Sequence, residues 1–123
     1  MTDANRFGPK ISADEAAELQ RARERLLARH KLIEGMIRNN EMQLKNESAR
    51  GGAEIELECA KRDVARAGSG SAEQHELKRM TERLKALQDE HARLVAERDW
   101  LNASLLQFDS GPSDAERERS GNA

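Results

Sequence analysis

Apolar residues recur along this chain at alternating spacings of three and four, over residues 16–44 and again over 77–108. A period near 3.5 marks a helix that offers one narrow seam to a neighbour; a strand would repeat every two residues. In the second stretch the seam reads Leu77, Met80, Leu84, Leu87, His91, Leu94, Arg98, Leu101, Leu105 and Phe108, and eight of these ten are apolar. In the first it reads Ala16, Leu19, Arg23, Leu26, His30, Ile33, Ile37, Asn40 and Leu44, with more polar interruptions. Leu27, Leu32 and Met36 lie beside the first seam and widen its apolar face.

Local signals place the ends of both elements. Ser12-Ala13-Asp14-Glu15 is a capping box, with Ile11 and Ala16 where a hydrophobic staple sits, so a helix is predicted over 13–48. Gly51-Gly52 reads as a break. After it, Ala53, Ile55, Leu57 and Cys59 alternate with Glu54, Glu56 and Glu58 like a strand, whereas Leu57, Ala60, Val64 and Ala67 keep helical spacing. Ala and Glu are poor strand formers and no second strand is available to pair, so a short helix is expected in a connector at 49–71. Gly68-Ser69-Gly70 breaks the chain again, Ser71 and Gln74 suggest a second capping box, and a helix is predicted over 72–109. Asp109-Ser110-Gly111-Pro112 stops it. Residues 1–11 read as a flexible leader and 110–123 as a disordered tail.

The fold expected is all-α: an antiparallel coiled-coil hairpin over 12–109 with a short helical connector, assembling further into a helical bundle. One register sets Ile37 against Leu87, Leu44 against Met80, Leu19 against Leu105 and Ala16 against Phe108. It never places two polar seam residues in one layer: Arg23 faces Leu101, His30 faces Leu94, Ile33 faces His91, Leu26 faces Arg98 and Asn40 faces Leu84.

Composition narrows the classes. The 123 residues are 36% charged and only 2% aromatic, which fits long helices and disfavours a compact β or α/β core. Net charge is −2, but residues 20–45 carry seven Lys/Arg against three Asp/Glu, and residues 71–109 carry six against eight. These halves complement each other. Cys59 is the single cysteine, which excludes an intrachain disulfide and suits a reducing compartment. No secretory-type apolar stretch and no membrane-length apolar run is present, so an intracellular, cytoplasmic protein with no membrane span is expected.

Few residues suggest chemistry. The three histidines have no metal-ligand spacing, no glycine-rich phosphate loop follows a strand, and no nucleophile–base set is evident. Hence no enzyme, catalytic residue, metal or cofactor is expected. Arg23, His30, Asn40, His91 and Arg98 are candidates for setting register, since polar seam residues specify alignment. His30 and His91 lie close in the register above, where a pH-sensitive pair is one reading and tolerated polar packing the other. Candidate partner contacts are Trp100, Phe108, Leu27 and Leu32, with Arg21, Arg25 and Arg29 in a basic cluster; Glu54, Glu56 and Glu58 form an acidic patch. The function expected is that of a coiled-coil adaptor, scaffold or small subunit of a larger assembly, binding protein partners as a homo- or hetero-oligomer. A nucleic-acid-associated regulator using the basic first helix, or a helical chaperone, is the alternative. Glu24 and Glu34 interrupt the basic cluster, and aromatic residues to stack on bases are scarce.

Overall fold

The computed structural model describes residues 11–68 and 70–111; all but residue 11 of the leader expected at 1–11, and all but residues 110 and 111 of the tail expected at 110–123, lie outside the described residues. Two helices pack against each other: α1, Ala13–Ala67, of 55 residues, and α2, Ser71–Asp109, of 39 residues. The start of α1 is the one its capping residues predict. The Ser12 hydroxyl accepts from the Glu15 amide at 3.1 Å, and Asp14 and Glu15 place negative charge at the positive end of the helix. Ile11 and Ala16 are both exposed, so the expected staple is not closed.

The main difference from expectation is the length of α1. The helix does not stop near residue 48; it runs through Gly51-Gly52 and takes in most of the expected connector. Two interior glycines cost a helix about 2 kcal/mol relative to alanine. Packing on both sides offsets this, because Asn46, Arg50, Ala53 and Leu57 are all at least partly buried across the glycine pair. The glycines themselves face open space, where a Cβ would meet nothing. The chain turns instead at Gly68, whose φ of +77° suits glycine. Gly70 is the N-cap of α2 without a side-chain cap bond, so the second capping box is absent and Ser71 is already helical. α2 ends where expected: the Ser110 amide bonds the Leu106 carbonyl at 2.9 Å, and Gly111, at φ +69°, bonds that of Phe108 at 3.2 Å.

The order of contacts is antiparallel. Arg29 meets Asp109, Asn39 meets Leu94, Asn46 meets Leu87 and Glu56 meets Arg83. Between the two asparagines, a step of seven residues along α1 is a step of seven back along α2. This register replaces the expected one, displacing the pairing by about two and a half helical turns: Leu87 lies against Asn46, not Ile37. Because Asp109 is level with Arg29, residues 13–27 of α1, all exposed, run past the end of α2 as a single helix.

The two faces in contact differ in character. From α2 come nine of the ten expected residues: Met80 and Leu101 are buried, and Leu77, Leu84, Leu87, His91, Leu94, Arg98 and Leu105 are half-buried, whereas Phe108 is exposed. From α1 the seam is Leu32, Met36, Asn39, Gln43, Asn46, Arg50, Ala53, Leu57, Ala60 and Val64, each at least half-buried. It lies one residue before the aliphatic stripe read from the sequence, a turn of about 100° around the helix. Of the residues expected in the α1 seam, Leu19, Leu26, Ile37 and Leu44 are exposed and Ile33 is half-buried; among the polar ones, Arg23, His30 and Asn40 are exposed. The reason is complementarity. Asn39 and Asn46 find hydrogen-bond partners on α2, Gln43 and Arg50 bond those two asparagines, and the small residues of this face, Gly35, Ala53 and Ala60, leave room for bulky ones. At Gly35 a Cβ would stand 3.1 Å from Leu101 Cδ2.

Candidate interaction surfaces

Two asparagines form the centre of the hairpin. Asn39 and Asn46 are each 1% exposed and are the largest fully buried side chains described. Asn39 Nδ2 donates to the Leu94 carbonyl at 2.8 Å and to Glu97 Oε1 at 3.0 Å. Asn46 repeats this one heptad on, donating to the Leu87 carbonyl at 2.9 Å and Glu90 Oε1 at 3.0 Å. Each asparagine oxygen accepts from the residue four positions later: Gln43 Nε2 at 2.6 Å and Arg50 Nε at 2.7 Å. A buried amide without partners would cost about 1–3 kcal/mol, so these networks tolerate only an alignment that supplies a carboxylate three residues after the accepting carbonyl. Sliding α2 by one heptad would set Asn46 against Met80 and Arg83, or Asn39 against Leu101 and Ser104, where no carboxylate stands. Asn39 and Asn46 therefore set register. The sequence reading named their neighbour Asn40, which is exposed. The available signal was the pairing of two asparagines seven apart with two Leu-x-x-Glu steps seven apart, 87–90 and 94–97.

Among the described residues the aliphatic stripe of α1 is left uncovered: all of it but the half-buried Ile33 is exposed. Leu19, Leu26, Ile33, Ile37, Leu44 and Ile55 fall within about 40° of one line at 100° per residue. Leu26 is 69% exposed, Leu44 67% and Ile55 68%. Large apolar side chains aligned in this way over ten turns are not the scattered exposed leucines of an ordinary surface.

A second apolar surface lies where α2 ends. Ala28 and Leu32 of α1 with Trp100, Ser104 and Phe108 of α2 line an open groove of about 660 Å³, rimmed by Arg25 and Lys31. Four partner-contact candidates, Trp100, Phe108, Leu32 and Arg25, thus converge. Trp100 is 63% exposed. Leu27 and Arg21 do not line the groove and are exposed on the single-helix extension. Arg29 is engaged in the chain: its Nε donates to Asp109 Oδ1 at 2.8 Å and its Nη2 to Oδ2 at 3.4 Å. That hydrogen bond holds the Asp109 carboxyl below its ordinary value.

The remaining candidates separate. His30 bonds Glu34 at 2.9 Å on its own helix, whereas His91 borders Gln43 and Glu47 some thirteen residues further along α1, about 20 Å away. The histidine pair is therefore not formed. Arg98 lies in the seam and turns its guanidinium to Asp99 at 3.3 Å. In the acidic patch, Glu56 bonds Arg83 across the helices at 2.8 Å and Glu58 pairs with Lys61 at 3.4 Å. Cys59 is exposed. Among the described residues no three His, Cys, Asp or Glu side chains gather as a metal site requires, and no helix is long and apolar enough to cross a membrane. Compared with known proteins, the chain matches no protein-family model, no curated protein and no solved structure.

Proposed function

We propose that this is a non-enzymatic interaction protein: a coiled-coil hairpin that acts as an adaptor, a scaffold or a small subunit of a larger helical assembly in the cell. The observation that carries the reading is the aliphatic stripe of α1. A helix whose inner seam already holds α2 keeps a second, more apolar face in water, and burying each such side chain is worth roughly 1.5–3 kcal/mol. The groove beside Trp100 adds an aromatic anchor of the kind that dominates interface energetics. The basic residues offer less support for nucleic-acid binding, since Arg29 is engaged by Asp109.

The test is an affinity purification from native extract with the full chain and with Leu26→Glu/Leu44→Glu. Both positions are exposed, so the hairpin should keep its helicity by circular dichroism. A specific partner retained by the parent and lost by the variant supports the reading. Identical retention by both refutes the role of the stripe.

A further inference from the structure

The stripe of α1 has an internal symmetry that identifies its occupant. Lay a second α1 antiparallel along it, with the two-fold axis level with Gly35. Leu26 of one copy then faces Leu44 of the other, and Ile33 faces Ile37. His30 faces Asn40, Leu19 faces Gly51, and Arg23 faces Glu47. Every layer but Leu19–Gly51, where a leucine meets a bare glycine, joins like with like in polarity or opposite with opposite in charge, and each recurs across the axis. Moving by one heptad either way breaks the pattern, setting Ile37 against Asn40 or Ile33 against His30. A parallel in-register pair would oppose Arg23 to Arg23 and Glu47 to Glu47, and like charges in contact repel.

We propose that a second copy of this chain covers the stripe, forming an antiparallel α1–α1 dimer aligned by reciprocal Arg23–Glu47 pairs. The inference rests on the interaction-protein reading above and names the partner. Three features of the structure support it. Arg23 and Glu47 are exposed and neither makes an ion pair among the described residues; Glu47 borders a groove shared with His91 and Arg98. Glu34, which flanks the stripe near the axis, is already engaged by His30. The single-helix extension of α1 also needs support, because an isolated helix of about fifteen residues is marginal in water. In the dimer, residues 19–26 of one copy lie on residues 44–51 of the other, a stretch backed by α2. The contact from Leu19 to Gly51 runs for about 50 Å.

Sedimentation or light scattering of the full chain tests this, with Arg23→Glu, Glu47→Arg and the double variant. Arg23 and Glu47 are not themselves seam residues, and urea unfolding checks that Glu47→Arg, which comes near His91 and Arg98, leaves the hairpin intact. The parent should run at twice its 13.8 kDa. Each single reversal alters both symmetric pairs and should weaken dimerisation roughly tenfold, a modest effect suited to exposed pairs. The double variant should recover the parent's affinity to within about threefold. A chain that stays monomeric to hundreds of micromolar overturns the proposal, as does a dimer whose single reversals are silent or not rescued. A monomer leaves the interaction reading standing; that reading falls only if the Leu26→Glu/Leu44→Glu variant keeps every partner of the parent.

Discussion

Replacing Asn39 by residues of nearly its own size separates hydrogen bonding from packing at the centre of the hairpin. Asn39 makes three hydrogen bonds, two donated and one accepted. At a net of roughly 1 kcal/mol each, they are worth about 3 kcal/mol. Leucine forfeits all three and recovers about 1.5–3 kcal/mol through burial of an apolar side chain. The Leu94 carbonyl lies within α2 and keeps its helical partner, and the exposed Glu97 returns to water. Asn39→Leu should therefore lie within about 1.5 kcal/mol of the parent. Asn39→Asp has the same shape with two donors removed. Its carboxylate would face Glu97 Oε1 and the Leu94 carbonyl in a site 1% open to water. A cost of about 4 kcal/mol follows at neutral pH, in the range for an uncompensated buried charge. The introduced carboxyl should have its pKa raised by burial and by Glu97. The lost stability should then return as pH falls through that raised value, where the protonated acid donates again. Urea unfolding followed at 222 nm, at one protein concentration, measures all three proteins. If the Asp and Leu variants fall within about 1 kcal/mol of each other at pH 7, hydrogen bonding does not hold Asn39, and the register argument goes with it.

Further outcomes follow from the same geometry. Gly51→Ala/Gly52→Ala should stabilise the protein by about 1–2 kcal/mol, since both sites are helical with free space for a Cβ; a loss in urea unfolding would mean that the helix breaks there. Gly35→Ala should be near neutral, because a propensity gain of about 1 kcal/mol is set against a small displacement of the Leu101 side chain, while Gly35→Leu should overpack and cost about 1–3 kcal/mol. Asp109 has a depressed folded pKa, so its contribution is present above the ordinary carboxylate range and is lost as pH falls through the depressed value. Hydrogen exchange near residues 105–109 should quicken over that acidic window in the parent and show no such transition in Asp109→Asn. The melting temperature should rise with protein concentration if the α1 stripe is buried between copies; a concentration-independent melt with full dimer present would contradict that coupling.

The legible parts of this sequence were those where apolar periodicity and tertiary packing agree. The α2 seam announced itself through Leu77, Met80, Leu84, Leu87, Leu94, Leu101 and Leu105, and the structure turns those side chains toward α1. In α1 the two signals diverge. Its strongest apolar period, through Leu19, Leu26, Ile33, Ile37 and Leu44, describes the face turned away from α2. The packed face contains Asn39, Gln43, Asn46 and Arg50, and a hydrophobicity pattern reads such residues as solvent-facing. Only the match to Glu90 and Glu97, which lie far along the chain, shows them to be interior. Gly51-Gly52 misled for a related reason: glycine pairs carry a local tendency to break a helix, and packing on either side overrides it.

The division between the two faces of α1 bears on what the hairpin can be by itself. Among the described residues the buried apolar set is Ala53, Ala60, Met80 and Leu101, two of them alanines. Such a core is small for the ordering of some hundred residues, each of which costs about 1–2 kcal/mol in backbone entropy. Its most deeply enclosed large side chains are amides, whose hydrogen bonds exchange for those with water at little net gain. The inner seam thus gains alignment more than stability, while the residues able to contribute most through burial, Leu26, Leu44 and Ile55, lie on the outside. In the dimer proposed above, a chain arranged in this way would draw its remaining stability from association. For such a chain, folding and assembly are linked equilibria, and substitutions on the outer stripe should alter stability and partner binding together.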